Sequence, residues 1–313
     1  MHFDWPTPEQ MLYRVMRLRR LLAIAVAIPA AVMLTMSHMD PTLLSPERAS
    51  LGAIAVAALI LGHIVLFPNA ASETLSLSLS VTLLVIASPW VKILAFMAPA
   101  ENAQAVYVIL VGFALLASGC VMVVARAALT TLLYAGPVVN LRVSSAVDVD
   151  CSPTVAHRQF ALQPSTRRGR ILAGQEDADG LFDVAIVAPQ VADPANPDQP
   201  FVAHVAAKVL QSDAHNHQVM LVLRDGSVAV TSQTYTATAD GCRVTTTEMP
   251  GDFTIGMYAM FWLTDQQADN LTEVADTILS VPARANGLAH GVSFLSVASA
   301  VLSPQQPAVT RAK

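Results

Sequence analysis

Charge is scarce in this 313-residue chain: 13% of the residues are Asp, Glu, Lys or Arg, against 54% that are hydrophobic. A soluble domain usually carries about 25% charge. The deficit is uneven, because between Leu21 and Ala125 the formal charges are Asp40, Glu47, Arg48, Glu73, Lys92 and Glu101 alone. Lysine is almost missing, at three of the 18 basic residues (Lys92, Lys208, Lys313), and the net charge is −5. No basic footprint for nucleic acid exists. Cysteine is equally sparse. Cys120, Cys151 and Cys242 are too few and too scattered for a disulfide scaffold or a zinc site, and they leave the redox compartment open. The chain has no Gly-x-Gly-x-x-Gly, no P-loop and no Gly-x-Ser-x-Gly, so the commonest nucleotide and serine-hydrolase motifs are excluded and no cofactor is expected.

Long apolar runs are what the first 130 or so residues do have. A membrane-spanning helix needs about 20 apolar residues. Four windows qualify: Leu21 to about Met36, Ser50 to Phe67, about Leu75 to Met97, and Ala105 to about Ala125. Pro68 ends the second, and Pro89 predicts a kink in the third. Thr7, Pro8 and Gln10 predict a capping box, so a helix starts well before the first window. Arg17, Arg19 and Arg20 before an apolar core also suit a signal peptide; the length of the leader and the three later windows favour an uncleaved anchor. Arg14, Arg17, Arg19, Arg20, Arg126 and Arg142 flank the set on one side, against Arg48 on the other, which predicts a cytoplasmic N-terminus and C-terminal domain. Lys92 and His63 are the polar groups at membrane depth. Lys92 can snorkel beside Trp90, and His63 can bond a neighbouring helix; a relay or transport role would need more facing polar groups.

From Val138 the pattern changes to short strands separated by turn signals. Strands are predicted at Leu141–Asp150, Arg170–Gln175, Leu181–Ala188, Phe201–Leu210, Gln218–Leu223, Ser227–Thr238 and Cys242–Met249. A short helix capped by Ser152 and Pro153 follows the first strand, and Pro189–Pro200 reads as a loop. After Pro250-Gly251-Asp252 the apolar positions Met257, Met260, Phe261, Ala268, Leu271, Val274, Ala275 and Ile278 recur at helical steps, which predicts one long helix from about Ile255 to Ser280. Gly287–Leu302 is apolar again but too short to span. The expected organisation is an amphipathic segment at 1–20, a four-helix membrane region at 21–130, an α+β domain at 138–282, and an apolar, then flexible tail at 283–313.

One helix covering one curved antiparallel sheet is a helix-grip arrangement. Over roughly 141–280 the chain resembles the START-like, or SRPBCC, superfamily. The resemblance rests on Val147-Asp148-Val149-Asp150-Cys151-Ser152-Pro153-Thr154, on the run from Thr231-Ser232-Gln233-Thr234-Tyr235 to Arg243–Glu248, and on the helix holding Trp262, Asp265, Asp269 and Leu271. The long 189–200 insertion departs from the family pattern, as does Pro164–Arg170, which lacks the usual tryptophan-bearing stretch. The resemblance implies a hydrophobic ligand held between sheet and helix. It also implies that the first and last strands pair, which would bring Cys151 near Cys242; in the cytoplasm both should be free thiols.

Candidate cavity residues are Phe182, Val184 and Ile186 on one strand, Phe201, Val205 and Val209 on another, and Met257, Met260 and Phe261 on the helix. The same residues would serve as a filled core. His204 and Lys208 alternate with the second group and should face solvent. His215 and His217 read as a polar loop, with no metal expected, and Arg167, Arg168 and Arg170 as a solvated loop or a contact for anionic headgroups. The expected function is binding of a lipid or other hydrophobic small molecule by a multi-pass protein of a bacterial-type inner membrane. Two alternatives stand beside it: a structural or interaction subunit with membrane-protein partners, and an enzyme acting on a hydrophobic substrate. The last ranks behind because no catalytic residues converge on the expected pocket.

Overall fold

The computed structural model describes residues 5–97, 99, 101–168, 171–192, 200–223, 226–279 and 284. The first helix, α1 (Pro8–Arg17), opens with the capping box: the Thr7 amide donates to Gln10 Oε1 and the Gln10 amide to Thr7 Oγ1. The helix breaks at Leu18, and α2 (Arg19–Met39) continues. Then come α3 (Pro46–Leu66), capped by Ser45, α4 (Ala71–Phe96), with Pro89 inside, and α5 (Ala103–Tyr134). Helices α2 to α5 are each long and apolar enough to cross a membrane. On α5 only Met122 is buried, while Phe113, Leu116 and Val124 stand exposed. A helix that is apolar all round needs a non-aqueous neighbour.

Helices α2 and α3 share a core of Leu21, Ala25, Met33, Val56 and Ile60. Close approach depends on small residues: Gly52 abuts Met33, and a Cβ added there would meet its Sδ at 2.9 Å. Along α4 the buried hydroxyls all find acceptors. Ser78 Oγ donates to the Ala25 carbonyl at 2.6 Å, Ser80 Oγ to that of Ser118 at 2.7 Å, and Thr74, Ser76 and Thr82 to carbonyls of their own helix. Such short polar side chains let apolar helices approach closely and bond across the gap.

Among the described residues the second half forms one antiparallel sheet of eight strands, β1 (Val143–Val149), β2 (Arg167–Arg168), β3 (Ile171–Ala173), β4 (Leu181–Ala192), β5 (Pro200–Ser212), β6 (Asn216–Val222), β7 (Val228–Thr238) and β8 (Gly241–Met249). Their order is β1-β8-β7-β6-β5-β4-β3-β2. The first and last strands pair, with Val147 opposite Val244 and Val149 opposite Cys242, and Cys151 packs on the cluster holding Cys242, both as free thiols. Helix α6 (Pro153–Phe160) carries the expected Ser152 cap. Two expectations about loops need correction. Strand β4 runs to Ala192, into the expected 189–200 loop, whose residues 193–199 lie outside the described set. Arg167 and Arg168 form β2, paired with Leu172 and Ile171.

A larger correction concerns the C-terminal helix. It is two helices, α7 (Ile255–Thr264) and α8 (Gln266–Ile278), separated by Asp265 in the left-handed conformation (φ 48°, ψ 43°). Asp tolerates that conformation better than most residues. Helix α8 covers the sheet and packs on β1, whereas α7 packs on α5 and α2. Gly256 permits the second contact, because a Cβ there would meet the Leu133 backbone at 2.8 Å. The expected tail at 283–313 lies outside the described residues, save Arg284, whose guanidinium meets Asp276 at 2.6 Å.

A buried joint ties the two halves together. Arg17 forms an ion pair with Asp269 of α8 at 2.9 Å, donates from Nε to the Thr264 carbonyl at 2.8 Å, and reaches Asn69 between α3 and α4. Tyr13 also donates to Asp269, and Arg14 donates to the Val65 carbonyl. Cations suit the exposed carbonyls at a helix C-terminus. Helix α1 and the sheet therefore sit at the same end of the helical bundle.

Candidate functional site

Between α8 and the concave face of the sheet lies a cavity of about 440 Å³. Close-packed interiors hold few voids larger than a water molecule. One flank is apolar, made by Val184 and Ile186 of β4, Val205 of β5, and Val219 and Leu221 of β6. Leu271, Val274 and Ile278 close it from α8. The opposite flank is polar: Thr231 and Gln233 of β7, Thr246 and Glu248 of β8, and Gln267 of α8. Register explains the division. Gln233 sits opposite Thr246 and Thr231 opposite Glu248, so two strands present their polar alternate positions to the same interior.

The polar flank is ordered. Gln233 Nε2 donates to Thr246 Oγ1 at 3.4 Å, and the Tyr235 hydroxyl donates to Gln233 Oε1 at 2.8 Å. Burial pushes the Glu248 carboxyl above the ordinary carboxylate range, and a hydrogen bond with Gln267 partly offsets this. At another part of the wall, Arg168 donates to the carbonyl of Phe160, and burial lowers its pKa.

Of the residues expected at the site, Val184, Ile186 and Val205 line the cavity. Phe182 and Val209 pack into the neighbouring cluster with Val184, Ala207 and Val219. The side chain of Phe201 lies outside the described residues. Met257, Met260 and Phe261 are misplaced by the sequence reading: they belong to α7, where Met260 packs on the core of α2 and α3, and the Phe261 ring lies 5.5 Å from that of Phe253. Helical spacing alone does not reveal that Asp265 redirects the chain. The polar wall does not follow from apolar alternation, although Thr231 and Gln233 on one strand and Thr246 and Glu248 on the next lie at alternating positions.

His204 and Lys208 point away from the cavity, where His204 meets Asp183 at 2.9 Å and Lys208 donates to the Asp179 carbonyl. His217 is buried within β6 and is not part of a polar loop. Its Nδ1 lies 3.2 Å from Ser212 Oγ, its ring is 5.7 Å from that of His157, and burial pushes its pKa down to about 4. No group of three or more His, Cys, Asp or Glu side chains able to hold a metal occurs among the described residues.

In the helical half, His63 of α3 stands 3.1 Å from both Thr74 Oγ1 and Glu73 Oε1 at the start of α4, and Arg126 of α5 approaches Glu73 at 3.5 Å. This cluster joins three helices. The Lys92 side chain lies outside the described residues.

No family model and no curated protein matches the chain. Solved structures similar to it include protein MLL2253 from Mesorhizobium loti, at 11% identity and TM-score 0.31, covering 45% of this chain and 97% of that one. Another is the di-domain ARO/CYC StfQ from the steffimycin biosynthetic pathway, at 10% identity and TM-score 0.31, covering 59% and 63%. A third is the Polyketide_cyc-like protein Cgl2372 from Corynebacterium glutamicum, at 9% identity and TM-score 0.26, covering 45% and 89%.

Proposed function

We propose that this chain is a multi-pass membrane protein whose START-like domain holds a hydrophobic small molecule between α8 and the sheet, at the cytoplasmic face. The observation that carries the reading is the cavity of about 440 Å³ with its apolar flank, within the roughly 300–1,000 Å³ range of small-molecule sites. Arg14, Arg17, Arg19, Arg20 and Arg126 gather at the end of the bundle that carries the sheet, which supports the cytoplasmic assignment. Helix α7 fits the same picture, because Ile255 and Trp262 are exposed on an apolar helix packed on the ends of α2 and α5, and Arg20 lies 4.8 Å over the Trp262 ring. These features support a position for α7 at the membrane–water boundary, where tryptophan is favoured.

The test is to purify the full-length chain in detergent, extract it with organic solvent and identify by mass spectrometry what leaves with it. A stoichiometric apolar compound is expected, and its yield should fall sharply in Val205→Trp, which fills the cavity. Recovery of nothing beyond bulk lipid, equal in both proteins, would overturn the reading. Extraction of the untreated chain from membranes by alkali, without detergent, would overturn the membrane assignment.

A further inference from the structure

The polar flank of the cavity is more than a lining, because part of its hydrogen-bonding capacity is unused. Gln267 is 2% exposed and lines the cavity. Its Nε2 donates to the Val143 carbonyl at 3.3 Å, and its Oε1, also buried, has no hydrogen-bond partner among the described residues. Buried acceptors are nearly always satisfied, so an orphan in a cavity wall indicates a missing donor. Glu248 is adjacent: Val143, which receives Gln267, is paired with Glu248 across β1 and β8. An unsatisfied acceptor from one element and a carboxyl from another thus converge at one part of the wall, facing an apolar flank of Val184, Ile186, Val205, Val219 and Leu221.

We propose that the molecule held here is an uncharged amphiphile whose hydroxyl group donates to Gln267 Oε1 and accepts from the Glu248 carboxyl while its apolar body lies along the valine-rich flank. The inference rests on the cavity being a ligand site and adds the chemistry of the head group. Gln267 and Ile278 both line the cavity from α8, and a rise of 1.5 Å per residue separates them by roughly 16 Å, room for an elongated body. Burial favours the neutral carboxyl at Glu248, which suits an alcohol better than an ammonium head. An anionic head would choose the arginines of the wall, Arg167 and Arg168, the second of which has a buried Nε without a partner among the described residues. The two sites make opposite predictions.

The test uses the full chain in lipid nanodiscs, with empty nanodiscs as the partitioning blank, and measures retention of tritiated dodecanol. Competitors are methyl dodecyl ether, which keeps the oxygen but lacks its hydrogen, dodecanoate and dodecylamine. A site built around a donated hydrogen bond rejects the analogue lacking it. The ether should compete at least tenfold more weakly than unlabelled dodecanol, and Gln267→Leu should erase most of that difference. Equal competition by ether and alcohol would overturn the hydroxyl assignment while leaving the ligand site standing. Tighter retention of dodecanoate or dodecylamine would overturn it in favour of a charged head. If neither dodecanol nor any competitor is retained above the blank, the ligand-site reading itself falls, and the inference with it.

Discussion

Helix α4 and the cavity wall bury polar side chains with different outcomes. Along α4 five buried hydroxyls, Thr74, Ser76, Ser78, Ser80 and Thr82, each donate to a carbonyl, two of them across to α2 and α5. Under the sheet, Gln267 Oε1 and Arg168 Nε are buried with no partner among the described residues. A satisfied polar group contributes to packing and specificity, whereas an unsatisfied one costs about 1–3 kcal/mol unless something else supplies its partner. On the proposed reading, the first set holds helices together and the second meets the polar end of a ligand.

The joint between the halves should break most dramatically. Arg17 and Asp269 are a buried ion pair, and removing one partner leaves an uncompensated charge. Asp269→Ala should destabilise the chain by about 3–5 kcal/mol, read as a lowered melting temperature in detergent, and should loosen α8 from α1. A change below 1 kcal/mol would mean that the halves are only loosely connected.

The next effect belongs to His217. Its folded pKa of about 4 lies below the ordinary 6.5, so the unfolded chain binds the extra proton between those values. Stability should therefore fall as pH drops from 6.5 to 4, by roughly 3 kcal/mol from this one group. His217→Leu should flatten that part of the stability–pH curve, and an unchanged slope would contradict the burial of the ring.

Glu248 behaves in the opposite sense. Its folded pKa is raised, so the folded chain keeps a proton that the unfolded chain releases as pH climbs through its usual range. Stability declines with rising pH until the folded pKa is passed. Glu248→Leu should remove the decline and stabilise the ligand-free chain at neutral pH by about 1 kcal/mol, while impairing dodecanol retention. A variant that loses stability instead would assign Glu248 to the scaffold, like the α4 hydroxyls. The smallest effect is expected at Arg243–Asp148, an exposed pair linking β8 to β1 at 2.7 Å. Breaking it with Asp148→Asn should leave the melting temperature nearly unchanged, because solvent screens an exposed pair.

The strands and the apolar windows were largely legible in the sequence because both rest on local periodicity. Ser152-Pro153, Thr7 with Gln10, and Asp177–Gly180 mark element ends through side-chain bonds or positive φ close in sequence. The division of the C-terminal helix was not legible. Apolar residues continue at helical steps on both sides of Asp265, and what sends α7 toward α2 and α5 is Gly256 against Leu133 and Arg17 on the Thr264 carbonyl, both long-range contacts. The site was half legible. Val184, Ile186 and Val205 follow from alternation, but the polar wall needs the pairing of β7 with β8 and the placement of α8.

The central claim is that a molecule belongs in the space between α8 and the sheet. A crystal structure of the full-length chain, purified gently from its own membranes, tests it most directly. The account predicts elongated density along Val205 and Val219, with its polar end within hydrogen-bond distance of Gln267 Oε1. An α8 seated directly on the sheet, with Val205 and Leu271 in contact and no space between them, would contradict it.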